Sequence, residues 1–398
     1  MTLIRRALEP RLRKSATQYP VVTLTGPRQS GKTTLTREVF PDHAYVSLEA
    51  PDLAAFARDD PRGFLSTYSG AVILDEVQHV PSLLSYIQVM VDEDPTPGRF
   101  VLTGSQHFAL SHAISQSLAG RTAILHLLPL SHSELLCFPE ASTNLWEVIW
   151  SGGYPRIFHR HIPPNEWLLD YTATYVQRDV RQILNVSDLG AFTSFLKLAA
   201  GRTAQELNLS DLGADAGVSH NGARAWISVL ETSFLLFELP PYLRNLRKRL
   251  IKAPKVHFLD TGLVCSLLGI HTHEQLVHHP LRGAIFETWV VSEIYKARVH
   301  AGLPPAMFHL RQTRGAEVDC IVEAAGRLLL VEAKSGATVN DSFFDALNEA
   351  AEQIAEAQRH FEISRRLVYG GTERQRRSSG DIIPWSMVSE VCWTPESG

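Results

Sequence analysis

The stretch VVTLTGPRQSGKTTLTREVF, residues 21–40, limits the possible folds more than any other part of this 398-residue chain. An apolar strand-like run, VVTLT, is followed by a glycine-bearing loop and then by KTTLTREVF, which has the pattern of a helix. Between them Gly26, Gly31, Lys32 and Thr33 match G-x-x-x-x-G-K-[ST] in the strand–loop–helix context that this motif requires. The chemistry needs these residue types. Glycines let successive backbone N–H groups curl around phosphate oxygens, and the helix directs its positive N-terminus at them. A lysine reaches the terminal phosphates and a threonine hydroxyl ligates Mg²⁺. Gly26, Pro27, Arg28, Gln29, Ser30, Gly31, Lys32, Thr33 and Thr34 are therefore candidate nucleotide-binding residues, with ATP and Mg²⁺ as the expected cofactors.

The surrounding residues 21–130 alternate short apolar runs (VVTLTG, HAYVSLE, AVILDE and RFVLTGS) with polar or helical segments, as a parallel α/β sheet does. In AVILDE, four apolar residues lead to Asp75 and Glu76. Asp75 is placed to hold Mg²⁺, directly or through water, and Glu76 to polarise an attacking water. A strand that merely ends in acids at solvent is the bland alternative. Ser105, or its neighbour Gln106, follows another strand and would contact the γ-phosphate or orient the water; a loop serine without a role is the competing explanation. Arg121 is a candidate arginine finger for a neighbouring subunit, against a structural salt bridge, with Arg178 and Arg181 as weaker candidates.

Composition bounds the rest. The length suggests two to four domains, and 44% hydrophobic with 20% charged residues is an ordinary globular balance. A formal net charge of −4 gives no sign of a polyanion-binding chain, so any nucleic-acid surface has to be a local patch. The four scattered cysteines form no CxxC pair, which fits a reducing cytoplasm. No apolar run approaches about 18 residues, so no membrane span is expected. The start MTLIRRALEPRLRKSA lacks the apolar centre of a signal peptide and suits a short amphipathic helix.

The motifs GPRQSGKTTL, YVSLE, AVILDEVQHVPSLL, FVLTGSQ, SLAGR, LPLSHSE and GGYPRI occur in this order and resemble the AAA-type ATPases of the AAA_14 family. Further on, YVQRDV, KVHFLDTGL and GAIFETWVVSEI resemble the DUF4143 region that accompanies it. The resemblance runs from about residue 5 to 385. It implies an ATPase core, and it makes a homo-oligomer, a ring among its forms, an expectation. It says little about biological role.

In the middle of the chain, TAQELNLSDLGADAGVSHNGARAWISVLETSFLLFEL has helix–turn–helix spacing. Thr203 with Glu206 suggests a capping box, Gly217 a helix C-terminus, and Ser219 the cap of a second helix with Trp226, Val229 and Leu230 on its apolar stripe. FLLFELPPY and PKVHFLD would be the strands of a wing around the basic run Arg244, Arg247, Lys248, Arg249 and Lys252. On this pattern His220, Asn221 and Arg224 face a DNA groove while the wing grips phosphates. A winged helix serving only as an interdomain brace is the alternative.

The C-terminal stretch orders a helix bearing Glu287, a strand bearing Asp319, and a strand with Glu332 and Lys334 on one face, followed by a helix. That order resembles the PD-(D/E)xK nuclease superfamily, in which acids hold a divalent metal and a lysine steadies water or phosphate. A degenerate fold that does not cut is the rival. The histidines of HTHEQLVHHP are expected in a loop, without zinc-site spacing.

The expected architecture is thus a P-loop AAA-type parallel sheet (1–135), a helical connector (136–200), a winged helix (201–275) and a PD-(D/E)xK nuclease-like α/β domain (276–398). The expected activity is a Mg²⁺-dependent ATPase acting on DNA by remodelling, with or without metal-dependent cleavage. The alternative is a nucleotide-switched regulator that binds proteins. No substrate-threading aromatic loop argues for a protein-remodelling machine.

Overall fold

The computed structural model describes residues 4–104, 116–175, 189–242, 253–311, 316–358, 360–391 and 393. Strands β1 (Val21–Thr25), β2 (Ala44–Ser47), β3 (Val72–Asp75), β4 (Phe100–Thr103) and β5 (Thr122–His126) form a parallel sheet in the order β2-β3-β4-β1-β5. The four strand-like runs of the sequence supply β1 to β4. The fifth strand, in RTAILH, pairs with the open edge of β1. Successive residues of β1 bury opposite faces: Val21 packs with Phe64, Leu74 and Leu102, and Val22 with Leu8, Leu12 and Leu35. The helix Glu9–Ala16 thus covers one face through Leu12, as the amphipathic pattern at the N-terminus suggested.

A smaller antiparallel sheet joins β6 (Gln205–Glu206), β7 (Leu236–Leu239) and β8 (Lys255–Phe258) in the order β6-β8-β7. It accompanies the helices Leu209–Ala216 and His220–Thr232. Gly217 adopts φ 72° after the first helix, and the Ser219 hydroxyl accepts from Gly222 N at the start of the second. Trp226 packs edge-on against Phe192 and Phe195. The expected Thr203–Glu206 capping box is not formed. Glu206 lies in β6, Asn208 caps the first helix, and Thr203 is fully buried with its hydroxyl 2.8 Å from that of Thr288. The true cap, Asn208, sits five residues after Thr203 because the sheet claims Gln205 and Glu206 for pairing with β8. HTHEQLVHHP contains a helix, His273–His278, rather than a continuous loop, because Thr272 accepts from Gln275 N and caps it.

The C-terminal sheet has the order β13-β14-β12-β11-β10-β9, with β9 (Met307–Arg311), β10 (Glu317–Ala324), β11 (Arg327–Lys334), β12 (Glu362–Tyr369), β13 (Gln375–Arg377) and β14 (Gly380–Pro384). The β9-β10-β11 part is antiparallel, β11-β12-β14 is parallel, and β13 returns antiparallel on β14. The helix Asp345–Ala357 covers one face through Leu347, Ala350 and Ile354. The helix Arg282–His300 belongs to the other core. Between the two sheets, the chain after β7 bonds directly to β9: Tyr242 N donates to His309 O (2.6 Å), and His309 N donates to Pro240 O (2.9 Å). One apolar core runs from Leu128 through Phe192, Trp226, Phe258 and Trp289 to Trp385, across the boundaries expected at 200 and 275.

His300, at the end of the long helix, is buried and accepts from Leu128 N at 3.3 Å. Burial pushes its pKa down to about 4, against Glu134, which raises it, while Arg6 and Lys296 lower it further. A depressed histidine contributes stability above its unfolded pKa of about 6.5, and that stability is lost as pH falls toward 4. His300→Gln keeps an acceptor for Leu128 N without titrating. Thermal melts at pH 7 and pH 5 should therefore show the wild type losing about 2 kcal/mol more than the variant over that interval.

Candidate functional site

The parallel register aligns the C-terminal ends of β1, β3 and β4, so the phosphate loop, Asp75 and Thr103 meet on one edge of the sheet. Gly26 adopts φ 148°, and a Cβ there would collide with the Leu127 carbonyl oxygen; only glycine lets the loop leave β1 so close to the chain after β5. Lys32, buried at the head of the helix Lys32–Val39, donates to Gly26 O (3.1 Å) and Pro27 O (2.8 Å). Thr33 Oγ1 donates to Asp75 Oδ2 (2.8 Å), which also accepts from the Tyr45 hydroxyl (2.7 Å), while Thr103 Oγ1 donates to Asp75 Oδ1. Burial and the Asp75 carboxylate push the Tyr45 phenol up to about 12, so it stays a donor. Glu76 follows in a left-handed conformation, φ 56°, and accepts from Gln78 Nε2. That turn carries its carboxylate into the same cavity as Lys32 and Thr33.

The cavity, about 530 Å³, is also lined by Arg28, Gln29, Gly31 and Thr34 and by groups not expected from the sequence: Arg156, His159 and Arg160. These come from the helix Pro155–Arg160 in GGYPRIFHRH. Arg156 Nη1 donates to Gln29 Oε1 at 3.4 Å. Their position is set by the turn before them. Gly153 N donates to Asp260 Oδ2 (2.6 Å) and Gly153 O accepts from Leu130 N (2.7 Å), and a Cβ on Gly153 would strike the Leu130 carbonyl. The sequence signals were the place of GGYPRI among the family motifs and its adjacent glycines, aromatic and arginine, which say nothing of the target. A second brace is Arg6, whose guanidinium donates to Ser30 O (2.7 Å), Leu128 O (2.7 Å) and Glu134 Oε1 (2.8 Å). Although burial opposes it, the Arg6 charge holds the Glu134 carboxyl down near 2.

The residues fit a nucleoside triphosphate with its divalent ion. The loop presents backbone N–H groups beside a lysine, the Ser30 hydroxyl is buried without a partner among the described residues, and Thr33 and Asp75 offer adjacent oxygens. Arg121, the candidate finger for a neighbouring subunit, lies away from its own chain's phosphate loop. Its carbonyl accepts from Val21 N at the other end of β1, and its half-buried side chain forms an ion pair with Asp92 (2.5 Å), which is the structural salt bridge weighed as its alternative. Ser105, Gln106, Arg178 and Arg181 lie outside the described residues, as do Arg244, Arg247, Lys248, Arg249 and Lys252. His220, Asn221 and Arg224 are exposed on the first turns of their helix, with Arg224 Nη1 3.9 Å from Glu238.

At the C-terminal sheet the structure does bring Glu287, Asp319, Glu332 and Lys334 together, and it adds one residue that the sequence did not suggest. Lys255, the first residue of β8, is buried with its Nζ 3.0 Å from Glu287 Oε1, 3.2 Å from Glu317 Oε1 and 3.8 Å from Asp319 Oδ1. Asp319 Oδ2 accepts from Ala333 N (2.9 Å), and Lys334 Nζ lies 2.5 Å from Glu332 Oε1. Burial, with Asp319 adding to it, raises the Glu287 carboxyl to about 8 and the Glu332 carboxyl to about 7. Burial raises Asp319 as well. The expected metal set therefore does not fit a divalent ion in this arrangement. Its charge is met by an ammonium, and no group of three or more His, Cys, Asp or Glu among the described residues is arranged to hold a metal. No helix among them is long and apolar enough to cross a membrane.

Residues 18–136 match a family model described as an AAA domain, AAA_14. Residues 142–274 and 282–388 match two domains of unknown function, DUF8612 and DUF4143. The chain is 31% identical over 341 residues to the uncharacterized protein Rv2008c of Mycobacterium tuberculosis, covering 85% of this chain and 75% of that protein, and equally to Mb2031c of Mycobacterium bovis. Among solved structures, a Walker-type ATPase of Pyrococcus abyssi is similar at 15% identity and a TM-score of 0.45, covering 66% of this chain and 95% of that one.

Lys32→Ala should abolish ATP turnover, and unchanged turnover in that variant would remove the role given to the loop. Glu76→Gln should still bind nucleotide while turnover falls at least ~100-fold. Arg156→Ala should weaken nucleotide affinity about tenfold, the loss of one charge-assisted contact, as read by titration with a fluorescent ATP analogue.

Proposed function

The chain belongs to the AAA_14 family of ATP-hydrolysing P-loop proteins that carry a DUF4143 region, and from that premise we propose that it uses ATP hydrolysis to remodel DNA. Thr33 and Asp75 would hold Mg²⁺, with Lys32 on the terminal phosphates and Glu76 orienting the water. Bound Mg²⁺ neutralises charge that develops on the transferring phosphoryl group. Arg156 lies on the same chain as the phosphate loop, on a helix whose position is keyed to Asp260 just after β8. Nucleotide state can therefore bear on the helix–turn–helix and its sheet without passing through a flexible linker.

The observation that supports DNA as the substrate is the exposed start of the helix His220–Thr232. His220, Asn221 and Arg224 are exposed there, Arg224 beside Glu238, ahead of a buried stripe that seats the helix on Phe192 and Phe195. The helix–turn–helix with β7 and β8 is read as a winged helix, and the basic run from Arg244 to Lys252 between those strands as its phosphate grip. Cleavage is not part of this reading, because the acid cluster faces a lysine. Assembly into a homo-oligomer and residence in the cytoplasm belong to the same proposal.

Duplex DNA should bind with salt-dependent affinity in fluorescence anisotropy and should stimulate ATP turnover. Arg224→Ala should weaken binding and lower the salt slope by about one. Supercoiled plasmid with Mg²⁺ or Mn²⁺ should stay uncut. Cleavage that is lost in Lys334→Ala would restore the nuclease reading. Absence of both DNA binding and stimulation would leave the protein-binding switch in its place.

A further inference from the structure

Four carboxylates, Glu287, Glu317, Asp319 and Glu332, surround two lysines where the C-terminal sheet meets β8. Lys334 belongs to the same strand as Glu332 and binds it locally. Lys255 does not belong to that domain's sheet at all. It opens β8, pairing with Glu206 of β6 and Leu239 of β7, and its side chain crosses to the helix Arg282–His300 and to β10. We propose that Lys255 is the resident cation of this acid cluster, standing where a divalent metal would otherwise be held, and that the cluster works as a clasp fastening the β6-β8-β7 sheet to the C-terminal domain.

Three observations carry the proposal. First, the lysine nitrogen has a carboxylate oxygen at 3.0, 3.2 and 3.8 Å from three different residues on two different elements, a convergence that surface pairs do not show. Second, a buried ammonium is costly unless it is fully paired, so its burial in this place requires these acids. Third, Glu332 Oε2 is buried without a hydrogen-bond partner among the described residues. The cluster thus retains a carboxyl oxygen beyond those its lysines meet, and it would accept a metal if the ammonium were removed. The clasp does not stand alone: the Pro240–Tyr242 segment bonds to His309 of β9 beside it. The proposal is independent of whether DNA is the substrate.

The test is Mn²⁺ binding to the nucleotide-free 398-residue chain, counted by EPR, together with thermal melts. Wild type should show no bound Mn²⁺ that Asp319→Asn removes. Lys255→Ala should gain one ion per chain, bound at least ~tenfold more tightly than any at the wild-type cluster, and the double variant Lys255→Ala/Asp319→Asn should lose it. Mn²⁺ should raise the melting temperature of Lys255→Ala and not that of wild type. Wild-type Mn²⁺ that is lost on Asp319→Asn would overturn the proposal, as would a folded Lys255→Ala that gains no ion. If Lys255→Ala does not fold, the wild-type count decides on the cation. Glu287→Gln decides on the clasp: it should lower the melting temperature, and an unchanged melt overturns the fastening role.

Discussion

The buried polar residues of the helix Arg282–His300 are what the rest of the structure depends on. Twelve of its nineteen residues are buried, among them Thr288, Glu293, Lys296, Arg298 and His300. A helix so polar in so dry a setting holds only if each group finds a partner, and the partners come from nearly every other part of the chain. Thr288 meets Thr203, and Glu293 accepts from His132 N. Lys296 donates to Leu130 O and to Glu293, Arg298 to Trp393 O, and His300 accepts from Leu128 N. Leu128 and Leu130 are the backbone that Arg6 and Gly153 also engage, at the phosphate loop and at the Arg156 turn. One turn and a half from the start of the same helix, Glu287 reaches Lys255. The same helix thus holds the Leu128–Leu130 backbone that borders the nucleotide edge and contributes Glu287 to the acid cluster.

This arrangement bears on how hydrolysis can act at a distance. Spatial continuity alone does not establish energetic coupling, which needs an element with two discrete states. The place where such states can exist is the cavity itself. Arg156 and Arg160 line it together with Lys32 and Thr33, so loss of phosphate charge would change the charge those guanidiniums meet. The helix Pro155–Arg160 is joined through Gly153 to Asp260 by a 2.6 Å hydrogen bond, and Asp260 also caps the helix that follows β8, so a shift of the first helix would meet Asp260. The close approaches at Gly153 and Asp260 leave little room for that shift to be absorbed locally.

What was legible in the sequence was what local chemistry specifies. The phosphate loop, the acid pair at the end of β3 and the Ser219 cap each depend on residues within a few positions of one another, and each is found where the pattern placed it. The element order of the C-terminal sheet was legible for the same reason. The errors arose where two local signals competed. Thr203 and Glu206 have capping-box spacing, but pairing with β8 outweighs it. HTHEQLVHHP has no apolar stripe long enough to announce a helix, yet one cap from Thr272 suffices in packed surroundings. Arg156 and Lys255 were not legible at all, because nothing near either in sequence shows what it faces. Lys255 is 32 residues from its nearest acid partner and belongs to a different sheet.

Lys255 also shows the limit of a motif as evidence for chemistry. Glu287, Asp319, Glu332 and Lys334 in their element order specify an anionic hollow at the edge of a sheet, and nothing more. Which cation fills it is decided by what the rest of the chain brings there. A metal ion arrives with its own hydration and leaves again, and it opens coordination positions for a substrate. A lysine brings a single charge, three donors directed at fixed acceptors, and a covalent tether to another sheet. The first occupant makes a site that exchanges ligands, whereas the second makes a joint. Since Lys255 Nζ is held by three carboxylates and is itself nearly inaccessible, the hollow in this chain has the properties of a joint. Acid patterns of this kind therefore become evidence for metal chemistry only once the surrounding lysines have been located.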